Sequence, residues 1–423
     1  MFRCYRSLLL SIVFILCLIT NNTYAENRLQ DVNEYHLMVL GDIHLGAKQK
    51  MDTAPAKAHS DNDLDLKTFT ALLSDIDQLI SLKTISPNSL LVMGDSVDHF
   101  DGDRQTGTPS GRESQLRLTF SILLPTFKMP ISYVFGNNDS LLGDYQQYFD
   151  IESTGHSAYE IAKNAGWSGG FSSISNDCQS TDVTFPCLNK NTESQMDGYY
   201  SEYLAKGLKL VVLNSVLFEA SHPDTYHGNY YNGELNWFNK ELADASKNRD
   251  SVLIAMHVPL GINLYNKTSF WEQDAYDDFT TTLNQYANEV IGILVAHTHN
   301  EEIRLFKDKN NHVIPIIFTA GLSTSHGNAP SFKYLTIHRD QNSKWILDSY
   351  KTYYYTNNQF NFLYDFTSTY CNGLSTIANC LDDYLTQKKL SSLLTIMNQF
   401  YTAGNPNNHS GAHDTDANDL IVN

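Results

Sequence analysis

Short apolar runs recur along the chain, and polar residues follow each of them. Runs this short and this rich in branched residues predict buried β-strands, because both faces of such a strand are covered. We expect strands over Tyr35–Leu40, Ser89–Met93, Ile131–Phe135, Leu208–Leu213, Val252–Met256, Val290–Val295 and Val313–Thr319. Two later stretches, Tyr334–Ile337 and Trp345–Tyr350, are predicted to form antiparallel strands.

Helical spacing of apolar residues appears between these strands. Apolar positions within 64–82 recur every three or four residues, which predicts an amphipathic helix with its apolar face in the core. Glu113–Phe120 and Leu235–Leu242 are also expected to be helical. This alternation of strands and helices predicts βαβ units and a largely parallel sheet. The aromatic, Gly- and Ser-rich segment 140–205 is interpreted as an insertion near the rim of the site described below.

Composition and charge narrow the choice of partners. The chain has 423 residues, with 25 tyrosines and 21 phenylalanines, so it has the content of a globular protein. Its formal net charge of −18 argues against nucleic acids and anionic membranes as main partners, because both carry negative charge. An anionic substrate stays compatible with this charge if a bound cation reverses its sign locally.

The first residues have the pattern of a signal peptide. Arg3 and Arg6 precede the apolar run Leu8–Ile19, and small residues stand at Thr23 and Ala25. We expect cleavage after Ala25. A transmembrane anchor is the alternative, but the run is too short to cross a bilayer. The sequence therefore predicts an exported protein, secreted or periplasmic, with no stable membrane anchor after cleavage.

Four cysteines follow the expected cleavage site. An even number of cysteines in an exported protein predicts disulfides, and four cysteines allow three pairings. The local spacing favours Cys178–Cys187 and Cys371–Cys380. A cysteine metal site is the alternative, but the sequence has no Cys-x-x-Cys pair, which such a site would favour.

Five polar clusters directly follow predicted strands, where α/β folds place their chemistry. The clusters are Asp42-x-His44, Gly94-Asp95-x-x-Asp98, Gly136-Asn137-Asn138-Asp139, His257 and His297-x-His299. Taken singly, each has an ordinary explanation as a turn or as a core histidine. Together their carboxylate, amide and imidazole groups suit Zn, Mn or Fe. They predict two cations that share a carboxylate, a pair that activates water and holds a phosphoryl oxygen.

This ordered set resembles the signature of the calcineurin-like metallophosphoesterase superfamily, which is D-x-H, G-D-x-x-D, G-N-H-[D/E], H and G-H-x-H. The resemblance spans Leu37 to Tyr355. It implies an α/β fold, a four-layer αββα sandwich of two mixed sheets, with a small C-terminal helical subdomain. It also implies two ligand sets. One set is Asp42, His44, Asp95 and His299, and the other is Asp95, Asn137, His257 and His297, with Asp95 bridging.

Later segments narrow the resemblance. Ala320–Ser323 and Asn328–Phe332 look like parts of acid sphingomyelinase-like phosphodiesterases. Purple acid phosphatases fit less well because they carry Tyr at the position of Asp98, and 5′-nucleotidases add a large C-terminal domain. The saposin domain of true acid sphingomyelinase is missing from this sequence. We therefore expect soluble phosphodiesters or nucleotides to be favoured over sphingomyelin.

Two positions depart from the family signature. Ala296 replaces the Gly before His297, which is a mild change. Asn138 stands where the family carries a His thought to protonate the leaving group or to steady the transition state. Asn donates hydrogen bonds but cannot be a general acid. We expect the protein to remain active with Asn138 at this catalytic position. Another group, such as His99 or a metal-bound water, would supply the proton.

From Tyr355 the pattern becomes helical, and Gly404 is a stop signal. The predicted plan is a signal peptide over 1–25, a metallophosphoesterase catalytic domain over 26–355, a helical subdomain over 356–404 and a disordered polar tail over 405–423.

The predicted function is hydrolysis of phosphoric esters by an exported phosphodiesterase. It would depend on two divalent metal ions, with Zn²⁺ favoured over Mn²⁺ or Fe, and act on a small phosphorylated substrate such as a nucleotide or a phosphocholine-type ester. One alternative is a metal-bearing protein that binds ligands without hydrolysing them. Another is a true sphingomyelin phosphodiesterase.

Overall fold

The computed structural model describes residues 32–46, 63–99, 109–146, 158–164, 167, 172–189, 198–220, 230–371, 376–408, 411–412 and 415–422. The predicted signal peptide over 1–25 lies outside these residues. Within the described ranges, no helix combines the length and the apolar character needed to cross a membrane.

The predicted strands are all present, and the two late ones extend beyond their predicted ends. In chain order the strands are β1 (Glu34–Leu40), β2 (Ser89–Val92), β3 (Ile131–Tyr133), β4 (Cys187–Leu188), β5 (Tyr200–Ala205), β6 (Leu208–Val212), β7 (Ser251–Ala255), β8 (Val290–Val295), β9 (Ile303–Lys307), β10 (Val313–Phe318), β11 (Ser331–Arg339), β12 (Trp345–Thr356), β13 (Gln359–Asp365) and β14 (Ile421–Val422).

The helices are α1 (Leu66–Ser81), α2 (Pro109–Thr126), α3 (Ala158–Asn164), α4 (Tyr230–Asn248), α5 (Gln273–Tyr286), α6 (Phe366–Tyr370), α7 (Ile377–Thr386) and α8 (Leu390–Phe400). Helix α1 begins where Asp65 accepts a hydrogen bond from the Thr68 N–H at 2.6 Å, which caps an otherwise unpaired donor. The predicted helix over 64–82 is therefore confirmed, and its buried face includes Phe69 and Ile76.

The strands form two mixed sheets. The first has the order β13-β12-β11-β1-β2-β3, and the second has the order β14-β9-β10-β8-β7-β6-β5-β4. Strands β1, β2 and β3 are parallel, as are β6, β7, β8 and β10, while β11 to β13 pair antiparallel. The predicted parallel arrangement therefore holds for the central strands, and antiparallel strands flank them.

The two sheets pack face to face between outer helices. A Cβ added to Gly292 on β8 would lie 2.8 Å from a methyl carbon of Leu347 on β12, so the sheets touch closely there. Helix α1 packs against β13 and α2, and α4 packs against β6 and β7. The fold is thus the expected four-layer αββα sandwich. Both predicted disulfides, Cys178–Cys187 and Cys371–Cys380, are present.

The C-terminal part differs from the predicted plan in two respects. Strand β13 lies beyond the expected boundary at 355 and completes the first sheet, because its residues pair with β12. The predicted disorder over 405–423 is wrong for the residues described there. Leu420 and Val422 are buried, and β14 pairs in parallel with β9 at the edge of the second sheet. The polar composition of this segment predicted disorder, although its apolar residues Leu420 and Val422 are buried.

A buried carboxylate joins the two sheets and makes stability depend on pH. Glu202 on β5 is fully buried and accepts a hydrogen bond from Ser132 on β3. Burial raises the pKa of Glu202 from 4.5 to about 7. The stability contributed by its neutral form is fully present below pH 4.5 and is lost as the pH rises through about 7.

We predict that Glu202→Gln will be more stable than the natural protein at pH 8 and equally stable at pH 4, below the ordinary pKa of the carboxyl group. Gln stays uncharged, so the pH 8 difference should be on the order of 3 kcal/mol. Urea unfolding at both pH values measures it, with Asp278→Asn, at an exposed position on α5, as control. If the free energies of unfolding of Glu202→Gln and of the natural protein changed with pH in the same way, folding would not shift the pKa of Glu202. That result would contradict the prediction.

Candidate metal centre

Strands from both sheets end at one shared edge, and all seven predicted ligands meet there. The first sheet supplies Asp42 and His44 after β1, Asp95 after β2 and Asn137 after β3. The second sheet supplies the three remaining histidines after β7 and β8, which are His257, His297 and His299. The site therefore exists only because the two sheets pack together.

One group of atoms matches the first predicted ligand set. The Nε2 atoms of His44 and His299 lie 3.1 Å apart. Asp95 Oδ2 is 3.5 Å from His44 Nε2, and Asp42 Oδ1 is 3.6 Å from His299 Nε2. Asp42, His44 and Asp95 form a grouping with the spacing to hold a metal ion.

A second group of atoms adjoins the first. Asn137 Oδ1 lies 3.0 Å from His257 Nε2 and 3.0 Å from His297 Nδ1. His257 Nε2 is also 3.4 Å from Asp95 Oδ2, so this one oxygen is within 3.5 Å of a histidine nitrogen from each group. Asp95, His257 and His297 form a further grouping with metal-binding spacing.

Hydrogen bonds on the far side of two rings fix which nitrogen faces the centre. His44 Nδ1 donates to the Val97 carbonyl at 2.9 Å, and His257 Nδ1 donates to the Met93 carbonyl at 2.7 Å. Such bonds leave Nε2 as the nitrogen that meets a metal or a proton. The ring orientation is therefore set before any ligand binds.

The atoms at the centre fit cations. Asp42 Oδ2 is buried and accepts no hydrogen bond from the residues that the structure describes. The imidazole lone pairs of His44 and His299 face each other, and Asn137 Oδ1 faces two ring nitrogens. Acceptors at such distances repel unless a proton or a cation lies between them. Nitrogen and oxygen donors of this kind bind divalent first-row metals.

Burial sets the charge state of these groups. It lowers the pKa of His44 and of His297 to about 3, and it lowers that of His299 as well, so these rings are neutral and able to bind metal. Burial raises the pKa of Asp42 to about 7. Burial alone would lower the pKa of His257. The neighbouring Asp95 carboxylate outweighs burial, and the pKa of His257 is raised to about 9.

The backbone is held in an unusual conformation at most of these ligands. Five of them have φ values between 44° and 71°, where side chains other than Gly are disfavoured. These ligands are Asp42, His44, Asp95, His297 and His299. Strain of this kind persists where the surrounding structure enforces it, and it collects at functional sites.

Gly94 and Gly136 permit the close approach of two site loops. A Cβ on Gly94 would lie 2.4 Å from Gly136 N, and one on Gly136 would lie 2.2 Å from Asp95 Oδ1. The Gly in each of the two motifs is therefore required sterically. The Asp139 carboxylate then ties the loops together by accepting the N–H groups of Asp95, Ser96 and Gly136 at 2.8–2.9 Å.

Asn138 lies at the centre but is bound to a ligand. Its side-chain Nδ2 donates to Asp95 Oδ2 at 2.9 Å, and its backbone N–H donates to Asp95 Oδ1 at 2.8 Å. Arg112 donates to the Asn138 carbonyl at 2.8 Å from the other side. Asn138 thus orients the carboxylate shared by the two groups.

Several site residues come from segments without a recognisable motif. Asp63 accepts hydrogen bonds from the backbone N–H and the Nδ1 of His99, at 2.8 and 2.7 Å. The His99 ring stacks on His44 with centroids 3.6 Å apart. On the opposite side, Tyr145 Oη lies 3.2 Å from His297 Nε2. Of these, only His99 was a sequence candidate, because Asp63 and Tyr145 do not directly follow a predicted strand.

A cavity of about 540 Å³ opens above the ligands. Its walls include His99, Asn138, Tyr145, Tyr265, His326 and Tyr401. The volume suits a small ester, and the ligand groups lie at its floor.

No family model matches the sequence. The chain is 31% identical over 121 residues to sphingomyelinase phosphodiesterase C of Dictyostelium discoideum, covering 28% of this chain and 27% of the relative. It is 25% identical over 145 residues to the cyclic GMP-AMP phosphodiesterase SMPDL3A of Rattus norvegicus, covering 33% of each. The chain therefore spans about a third or less of the length of these curated relatives.

Solved structures with a similar chain trace include purple acid phosphatase PPD1 from yellow lupin, with a TM-score of 0.44, 12% identity and coverage of 79% of this chain and 53% of that one. NAD nucleotidase from Haemophilus influenzae has a TM-score of 0.37 and 9% identity, and covers 85% of this chain and 60% of that one. The ordered polar clusters, the two-sheet fold and the sequence relatives support a resemblance of this chain to calcineurin-like metallophosphoesterases, and among them to acid sphingomyelinase-like phosphodiesterases.

Proposed function

We propose that this protein is an exported phosphodiesterase that hydrolyses phosphoric esters with two divalent cations, Zn²⁺ being favoured. The single observation that carries the proposal is the position of Asp95 Oδ2, within 3.5 Å of a histidine nitrogen from each ligand group. A carboxylate oxygen placed between two sets of N and O donors can be shared by two cations of one dinuclear site.

The residues would hold the cations in the two predicted sets. Asp42, His44, Asp95 and His299 would bind one cation. Asp95, Asn137, His257 and His297 would bind the other. When bound, such a pair lowers the pKa of water and neutralises the charge on phosphoryl oxygens. The protein adds a pre-oriented frame, because most of these residues are buried and hydrogen bonds fix the rings of His44 and His257.

The chain must also supply a proton donor, because Asn138 cannot. His99 supports this role through its geometry. It lines the cavity, stacks on a candidate ligand and is held at Nδ1 by Asp63. A carboxylate on one ring nitrogen fixes the tautomer and orientation of a histidine. We infer that His99 protonates the leaving oxygen while Asn138 keeps Asp95 in place.

The substrate would be a small phosphodiester, of nucleotide or phosphocholine type. The named activities of the two relatives support this class, and the cavity volume is compatible with it. Export is supported by the two disulfides, which persist in oxidising compartments.

We predict that chelation will abolish hydrolysis of bis(p-nitrophenyl) phosphate and that Zn²⁺ or Mn²⁺ will restore it. Loss of the cations should lower turnover roughly a hundredfold or more. The matched substrate is p-nitrophenyl phosphate, a monoester with the same leaving group, which should react more slowly. A protein that binds two ions and hydrolyses neither ester would be a ligand-binding protein.

A second prediction concerns the missing histidine. Asn138→His should lose activity or change little, because the natural enzyme already uses another donor. His99→Asn should lower kcat about 100-fold, and more strongly for esters with poor leaving groups. His338→Asn, on β11, is the matched control. A large gain of activity from near zero in Asn138→His would instead indicate a decayed enzyme.

A further inference from the structure

Two hydrogen bonds join the turn after the 3₁₀ segment Asn137–Asp139 to Asn137, which is a candidate ligand. The Tyr145 N–H donates to the Asn137 carbonyl at 2.9 Å, and the Asn137 side-chain Nδ2 donates to Asp144 at 2.7 Å. Tyr145 has a φ of 55°, which is costly for an aromatic residue. The structure therefore enforces the position of this side chain.

The hydroxyl of Tyr145 lies beside His297. Tyr145 Oη is 3.2 Å from Nε2 of that ring, and the other nitrogen, Nδ1, faces Asn137 Oδ1 at 3.0 Å. An imidazole that binds a cation through Nδ1 carries its hydrogen on Nε2. His297 then donates to Tyr145 Oη, so the phenolic hydrogen is directed away from the ring.

Tyr145 also belongs to the wall of the cavity above the candidate ligands. Tyr145 lines it together with Asp95 and Asn138. The phenolic hydroxyl of a tyrosine is a neutral hydrogen-bond donor near neutral pH. The Asn138 side chain donates to Asp95. The Tyr145 hydroxyl would add a further donor for the substrate on this side of the centre.

We propose that Tyr145 is a catalytic residue whose hydroxyl donates a hydrogen bond to a non-bridging phosphoryl oxygen of the bound ester. This inference rests on the proposed function. No proton is transferred, because the phenol only stabilises the negative charge that develops on that oxygen in the transition state. His297 supports this role by donating to the phenol oxygen.

The experiment compares Tyr145→Phe with the natural protein, both loaded with Zn²⁺. Phe keeps the ring and removes only the hydroxyl. We expect two ions per chain by elemental analysis and about tenfold weaker binding of inorganic phosphate by calorimetry. The kcat/KM for diesters should fall about 100-fold, by equal factors for p-nitrophenyl and phenyl leaving groups, because the contact is with a non-bridging oxygen.

Tyr286→Phe is the matched control, since this tyrosine ends helix α5 and stands outside the lining of the cavity. It should match the natural protein in all three measurements. Unchanged phosphate affinity in fully loaded Tyr145→Phe would overturn the proposal. So would a loss of metal that alone accounts for the lower activity, because Tyr145 would then only position His297. Phosphate binding is measured without turnover, so it tests Tyr145 even if the natural protein hydrolyses no diester.

Discussion

The structure depends on one electrostatic constraint, which is the convergence of buried acceptors on one small volume. Asp42 and Asp95 are both almost fully buried, and imidazole nitrogens point at them and at each other. Such an arrangement is unfavourable without positive charge between the groups. The other features of the site resist this repulsion. Positive φ values, the Gly94–Gly136 contact and the Asp139 carboxylate hold the ligands close together.

The sequence predicts this candidate centre because each predicted ligand follows a strand. Each cluster is fixed to a strand end, and parallel neighbouring strands bring such ends together. The packing that joins Asn137 in one sheet to His257 in the other was implied only by the family resemblance. Asp63 and Tyr145 were missed because their loops carry no periodic signal. Helix α5 was missed because its aspartates and threonines mask its apolar face.

Local sequence pattern also failed to predict the structure of the C-terminal segment. A polar composition predicts disorder only when no buried anchor offsets the loss of entropy. Leu420 and Val422 provide such anchors here, and β9 offers them an open edge. The pairing partner lies more than a hundred residues earlier in the chain, so local pattern does not reveal it.

Asn138 explains how the site differs from the family pattern. It keeps the backbone and hydrogen bonds that orient Asp95, but it gives up acid chemistry. Two other side chains flank the centre on opposite sides, His99 beside His44 and Tyr145 beside His297. We infer that His99 and Tyr145 together replace the family histidine. His99 donates a proton, and Tyr145 donates a hydrogen bond and stays neutral.

The most direct test of the central claim is a crystal structure of the protein grown with Mn²⁺ and measured near the Mn absorption edge. A dinuclear centre predicts two anomalous peaks about 3.5–4 Å apart, with Asp95 bridging them. A single peak, or two peaks that do not share Asp95, would contradict it.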